Sequence, residues 1–253
     1  YDKTKGNVGV YPGGAVSVSL GEGDILLEGG TNNTGIALKV AGSSVTSKGT
    51  VTLSNGTGNM AIYNDGNSNK ITSVTVKNVN TTNQTINSVA AYSKDAGQID
   101  VKEKFVVNSK IVSTKESAIK SKDNGGEDKS TENAGGVYAT GANTKVTLAS
   151  DITTLSPAPA SELVNIKIVG AEIVNSKGEG IKEYAGFGLF AENGAEISTA
   201  GITLVNGPKI EVESGSVALA SVGTNSKVTV DKGTVTYDGK GYALYSKDNG
   251  KIN

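Results

Sequence analysis

One short phrase recurs along this chain, and recurrence at a near-constant period constrains a fold more than any single residue does. The phrase reads apolar, small, apolar, then a turn of Gly, Asn, Asp and Lys, then an alternating segment. It stands at Ile36-Ala37-Leu38, Met60-Ala61-Ile62, Val89-Ala90-Ala91, Phe187-Gly188-Leu189, Val217-Ala218-Leu219 and Tyr242-Ala243-Leu244. A glycine follows each copy: Gly42, Gly66, Gly97, Gly194, Gly223 and Gly250. Looser copies stand at Val10-Tyr11, Ala118-Ile119 and Val137-Tyr138. Undisturbed copies lie 24 to 30 residues apart, a drifting period that suits a solenoid whose turns accept insertions.

The segments between copies read as strands. Val45, Val51 and Leu53 alternate with Ser and Thr, as do Ile71, Val74 and Val76, then Val228, Val230, Val235 and Tyr237. Period two with Val, Ile and Thr enrichment is the strand pattern. The best helical stretch, Val112 to Lys122, is diluted by Ser and Thr. One coil of such strands buries only a thin stripe; stacking coils about 4.8 Å apart makes the stripe continuous. The expected fold is therefore all-β, a right-handed parallel β-helix of about nine or ten coils, a rod of roughly 45–50 Å. The first and third phrase positions are expected to point inward. The small middle residue is expected to face outward or to sit at a crowded corner, and the following glycines to supply positive φ at corners. Hexapeptide and leucine-rich repeats are absent. A calcium-binding nonapeptide is hinted at only by Gly21-Glu22-Gly23-Asp24-Ile25-Leu26, which reads as a plain turn.

Two segments break the pattern and are expected to protrude. Residues 120–136, KSKDNGGEDKSTENAGG, mix both charge signs and hold no large apolar residue. Residues 153–163 carry Pro157 and Pro159, which block ladder hydrogen bonds. The first segment offers a candidate binding loop of Lys122, Asp123, Glu127, Asp128 and Glu132; the competing reading of both segments is tolerated insertion. Tyr63, Tyr92, Phe190 and Tyr245 share the place just after the phrase. With inward first and third positions, these rings point outward, either as a contact surface joined by Tyr184 or as a ladder that shields the sheet. The local cluster Tyr184, Phe187, Phe190 is expected chiefly to fill one wide coil.

Much chemistry is excluded by composition. The chain of 253 residues has no His, no Cys and, among its 24 basic residues, no Arg. That removes the Ser-His-Asp triad, thiol nucleophiles, Cys- or His-ligated zinc and bidentate arginine clamps. No phosphate loop of the Walker type occurs. The net charge of −1 gives no pull toward nucleic acid. No apolar run approaches the length needed to span a bilayer. Absence of Cys leans toward export through an oxidising compartment. Asp24, Asp65, Asp100, Asp151 and Asp231 are scattered, so carboxylate chemistry on polysaccharides is the one enzyme class left to test, and the chain is expected not to be an enzyme and to need no cofactor or metal. The polar start Tyr1-Asp2-Lys3-Thr4-Lys5 and the mid-pattern stop Lys251-Ile252-Asn253 suggest that residues 1–253 are one segment of a longer protein.

The repeats GYALYSKDNGKIN, SVALASVGTNSKVTV and NMAIYNDGNSNKITSVTV resemble the passenger regions of type V autotransporters. Within that group the Gly-, Asn- and Lys-rich, Arg-poor style is similar to the large fusobacterial outer-membrane adhesins. The resemblance covers most of the chain and rests on repeat style, so it carries no functional residue over. It implies a β-helical passenger displayed on the cell surface or secreted. That passenger would bind a glycan or protein receptor on host cells or other bacteria, act as a monomer, and insert no part of this segment into the membrane. The alternative is a pectin-lyase-like enzyme on the same scaffold.

Overall fold

The computed structural model describes residues 6–67, 70–82, 85–110, 134–151, 164–169, 186–199, 209–212, 216–230, 233–237 and 242–253. Among them every regular element is a strand, and the strands follow one another around successive coils. The first coil holds β1 (Val8–Val10), β2 (Ser17–Leu20) and β3 (Ile25–Glu28). The second holds β4 (Thr34–Leu38) and β5 (Ser44–Ser54); the third holds β6 (Met60–Asp65), β7 (Thr72–Thr82) and the short β8 (Thr85–Ile86). The fourth holds β9 (Val89–Lys94) and β10 (Gly97–Lys110); the fifth holds β11 (Ala134–Thr140), β12 (Lys145–Leu148) and β13 (Val164–Val169). The sixth holds β14 (Gly186–Glu192), β15 (Glu196–Thr199) and β16 (Lys209–Val212). The seventh holds β17 (Ser216–Val222), β18 (Lys227–Thr229) and β19 (Thr234–Tyr237), and the eighth β20 (Tyr242–Lys247) and β21 (Lys251–Ile252).

Strands pair with their counterparts in the adjacent coils, and all these strand pairings are parallel. The first strand of every coil joins an eight-stranded sheet in the order β1-β4-β6-β9-β11-β14-β17-β20. The remaining strands form a thirteen-stranded sheet that folds over itself. In β5, β7 and β10 its corner lies within one strand, and the pairing register shifts there, where Ser47 and Thr50 of β5 and Val101 and Lys104 of β10 meet Val76 and Asn78 of β7. Elsewhere the same corner separates two strands. The cross-section therefore has three sides, and the chain is a parallel β-helix, as the repeat predicts.

The coil count differs from expectation. The eight strands of the first sheet mark eight coils among the described residues, not nine or ten. β9 pairs directly with β11, Val89 opposite Gly135 and Ala91 opposite Val137, so nothing stands between the fourth and fifth coils in this ladder. The looser copy at Ala118-Ile119 lies outside the described residues. Segments 111–133 and 170–185 lengthen the stretches from Val89 to Gly135 and from Gly135 to Phe187 without interrupting the pairing.

The interior is continuous and largely apolar, with Thr81 between Leu53 and Val107. On the first side Ile36, Ile62, Ala91, Val137, Leu189 and Leu219 form one inward column. Across from it stand Val45, Val74, Ile99, Val146, Ile197 and Val228, and on the third side Leu53, Val107, Ile166 and Ile210. Each fully buried Ile or Leu contributes about 1.5–3 kcal/mol of transfer free energy. At the outer coils the same columns are partly open, and Leu244 is 56% exposed.

The alignment of the phrase is corrected by the pairing. Met60 lies opposite Thr34 and Ile62 opposite Ile36, so the counterpart of Met60-Ala61-Ile62 is Thr34-Gly35-Ile36. A slip of two residues keeps every side chain on its own face, so alternation alone cannot detect it. The first position is also not interior. Met60, Val89, Phe187 and Val217 belong to a second apolar cluster, apart from the main core. The middle position is the inward one: Ala61, Ala90 and Ala218 lie in the core. Two consecutive inward residues break the alternation like a bulge, and only small side chains fit the first of them. A Cβ on Gly35 would sit 2.6 Å from the Ala61 carbonyl oxygen and 2.7 Å from Val51 Cγ1; one on Gly188 would sit 2.5 Å from the Ala218 oxygen.

The glycines after the phrase divide into two physical kinds. Gly42, Gly194 and Gly223 have φ of 81°, 86° and 90°, as expected of corners. Gly66 and Gly250 are instead glycine for want of room, since a Cβ there would lie 2.2 Å from a neighbouring coil's carbonyl oxygen. Two hydrogen-bonded ladders complete the corners. Asn7 N–H donates to Asn33 Oδ1 at 2.8 Å, Asn33 N–H to Asn59 Oδ1 at 2.8 Å, and Asn59 N–H to Ser88 Oγ at 3.1 Å. At another corner the Ala96 and Gly194 N–H groups donate to Thr144 Oγ1 at 3.0 Å and Ser226 Oγ at 2.9 Å. Buried amides are thereby satisfied from the next coil.

The inward small-residue column yields a graded expectation. Gly35→Ala should lower unfolding free energy by about 1 kcal/mol and Gly35→Val by roughly 3 kcal/mol, the cost of overpacking against backbone. Urea unfolding measures both; equal or negligible effects would contradict an inward position 35.

Candidate functional site

The aromatic positions proposed from sequence fall into one column on the outside of the first sheet. Pairing places Ala37, Tyr63, Tyr92, Tyr138, Phe190, Ala220 and Tyr245 at equivalent points of successive coils. They face away from the interior because their neighbours on either side, such as Ile62 and Asn64 around Tyr63, are buried. Tyr63 and Tyr92 stack at 5.3 Å between ring centroids and 17° between planes; Tyr92 and Tyr138 stack at 5.1 Å and 26°. Tyr138 and Phe190 follow at 5.5 Å, tilted by 37°. Tyr245, beyond Ala220, packs with Tyr242 at 5.4 Å.

Tyr138 is the member that sequence reasoning passed over, because Val137-Tyr138 reads as a loose copy. Its signal was the match of Gly135-Gly136-Val137-Tyr138 to Phe187-Gly188-Leu189-Phe190. Phe187 and Phe190 do not fill a wide coil. They lie in the outer cluster with Val89, Val217 and Ala220, against Met60, Tyr92, Tyr138 and Tyr245. Gly135 makes this possible: a Cβ on it would lie 2.0 Å from Phe187 Cε2, in the space the ring occupies. Phe187 then reaches Tyr138 at 5.9 Å and Phe190 at 6.1 Å, edge-on to the latter.

Charged groups border the column. Lys39 Nζ lies 5.4 Å from the Tyr63 ring centroid, a cation over an aromatic face. The Tyr63 hydroxyl donates to Asp65 Oδ2 at 3.1 Å, and Lys94 Nζ pairs with the same oxygen at 3.1 Å. The Tyr138 hydroxyl donates to Glu192. Burial first, and then the Glu192 charge, push the Tyr138 phenol far above the usual tyrosine range. The faces of Tyr63, Tyr92 and Tyr138 cover one another, and the Tyr63 and Tyr138 hydroxyls are engaged by carboxylates, so these rings lie as a layer over the sheet.

The other sequence candidates fare differently. Lys122, Asp123, Glu127, Asp128, Glu132 and Tyr184 lie outside the described residues, as do 153–163. The end of segment 120–136 is not loop: Ala134, Gly135 and Gly136 open β11 and are buried. Their small size is what the inward corner and the Phe187 ring require. Asp24, in the calcium-like turn, accepts the Thr50 N–H on Oδ1 at 2.7 Å and so ties the first coil to the second. Asp100 pairs with Lys102 at 2.6 Å and accepts the Ser150 hydroxyl. Among the described residues no three acidic side chains gather in one place. No known family model, curated protein or solved structure matches the chain.

The state of Tyr138 predicts a pH dependence. Its folded ionisation lies above its unfolded one, so its contribution is complete below about pH 10, the ordinary tyrosine value, and is lost progressively as pH rises beyond it. Stability should therefore fall more steeply above about pH 10 in the wild type than in Tyr138→Phe, read from urea midpoints at stepped pH. Parallel curves would contradict it.

Proposed function

We propose that this chain is an adhesive and structural passenger segment, displayed on the outer cell surface or secreted, that mediates attachment to host cells or other bacteria. The observation that supports this most directly is the unbroken ladder of eight coils, which keeps its register past two long insertions. Such a rod has the geometry to hold surfaces away from a cell, and many weak contacts along it combine through multivalency. The repeat style resembling autotransporter passengers supports the same reading. The receptor is a glycan or protein on the partner cell, met by insertions such as 120–133 or by the outer faces. Among the described residues Asp65, Asp100 and Glu192 are tied to neighbouring Lys, Ser or Tyr groups, an arrangement suited to stiffening the surface and not to acid–base turnover.

Competition for cell attachment tests the reading. The purified chain should displace adherent cells or their labelled fragments from the target surface, and deletion of Asp123 to Asn133 should weaken that displacement by about tenfold or more, some 1.4 kcal/mol. It should release no product from polysaccharides. Turnover of a polysaccharide, or no displacement on any partner surface, would overturn it.

A further inference from the structure

The tyrosine column brings two phenols of adjacent coils together. Tyr63 and Tyr92 are paired across adjacent coils by the backbone ladder and stack at 5.3 Å with planes only 17° apart. Both are partly exposed, so a small oxidant reaches them while the strands hold them in place. Asp65 stands ready to accept the Tyr63 proton, at 3.1 Å, and Lys94 keeps that carboxylate charged and positioned. Tyr138 covers the far face of Tyr92, and its own hydroxyl is committed to Glu192. Phenylalanine at 63 and 92 would stack equally well, as Phe190 does on Tyr138.

We propose that Tyr63 and Tyr92 form an oxidative cross-linking site, at which a one-electron oxidant of the peroxidase–peroxide class joins the third and fourth coils through a dityrosine. Each phenol gives up one electron and one proton; the Tyr63 proton passes to Asp65 and the Tyr92 proton to solvent. A carbon–carbon bond then forms between ring carbons ortho to the two hydroxyls. The ortho hydrogens move to the ring oxygens, which restores both phenols. The pair loses two hydrogens in all, and one peroxide is reduced to two waters. The product is a covalent staple between coils that are otherwise held by hydrogen bonds, independent of what the rod binds.

The test uses the full chain at low concentration with a haem peroxidase and hydrogen peroxide, followed by cleavage after lysine. The monomer fraction should yield peptide 49–70 joined to peptide 78–94, lighter than their sum by two hydrogens, together with dityrosine fluorescence. Tyr92→Phe keeps the ring and the stack and should lose the joined peptide, whereas Tyr245→Phe should retain it. Circular dichroism of both variants confirms that the coils persist. The proposal is overturned if the joined peptide is absent while free tyrosine in the same tube couples. It is equally overturned if the only cross-links involve Tyr11, Tyr242 or Tyr245.

Discussion

Everything in this molecule depends on each coil laying its backbone on the one below in the same register. Parallel pairing fixes Thr34 over Val8, Met60 over Thr34 and so on to Tyr242 over Val217. Once that register is set, like residues fall on like. Ile36, Ile62, Val137 and Leu189 line the interior, Asn33 and Asn59 stack at one corner, and Tyr63, Tyr92 and Tyr138 stack outside. The coils also approach closely at the inward small residues, where a Cβ on Gly35 or Gly188 would meet the next coil's carbonyl at 2.5–2.6 Å. Close approach there lets two neighbouring residues turn inward together, and this in turn pushes the preceding residue, Met60 or Phe187, to the outside.

How much of this was legible in the sequence follows from what a repeat encodes. The solenoid and its alternating interior were legible, because Val45, Val74 and Val228 recur in a two-residue rhythm that no helix produces. The phase of the phrase was not. Ile36-Ala37-Leu38 imitates Met60-Ala61-Ile62 two residues out of step, and a two-residue slip changes no face. The bulge was hidden for the same reason: a small residue between two large ones looks like ordinary alternation until three-dimensional contacts show Ala61 inside and Met60 outside. The Asn33–Asn59 ladder escaped notice because each Asn reads as a turn residue, although both immediately precede the phrase. The outward column was legible at Tyr63 and Tyr92, and its continuity through Tyr138 became clear only when Gly135 was seen to yield its space to Phe187.

The outer surface of the first sheet is thus not a bare face with rings placed on it. Val89, Phe187, Phe190, Val217 and Ala220 form a second apolar layer, and the tyrosines extend it along the rod. Aspartate, glutamate and lysine at its border hold hydroxyls and one another in place. A surface built this way resists bending between coils.

The in-register coil stack can be tested in a chain that has no cysteine of its own. Thr46 and Thr75 lie opposite each other on adjacent coils, whereas Thr147 lies two further coils along the same column. The pair Thr46→Cys with Thr75→Cys should oxidise readily to an intramolecular disulfide, because rungs about 4.8 Å apart lie within reach of one. Thr46→Cys with Thr147→Cys should stay reduced. A reduced first pair, or a disulfide in the second, would contradict the stacked coil and everything built on it.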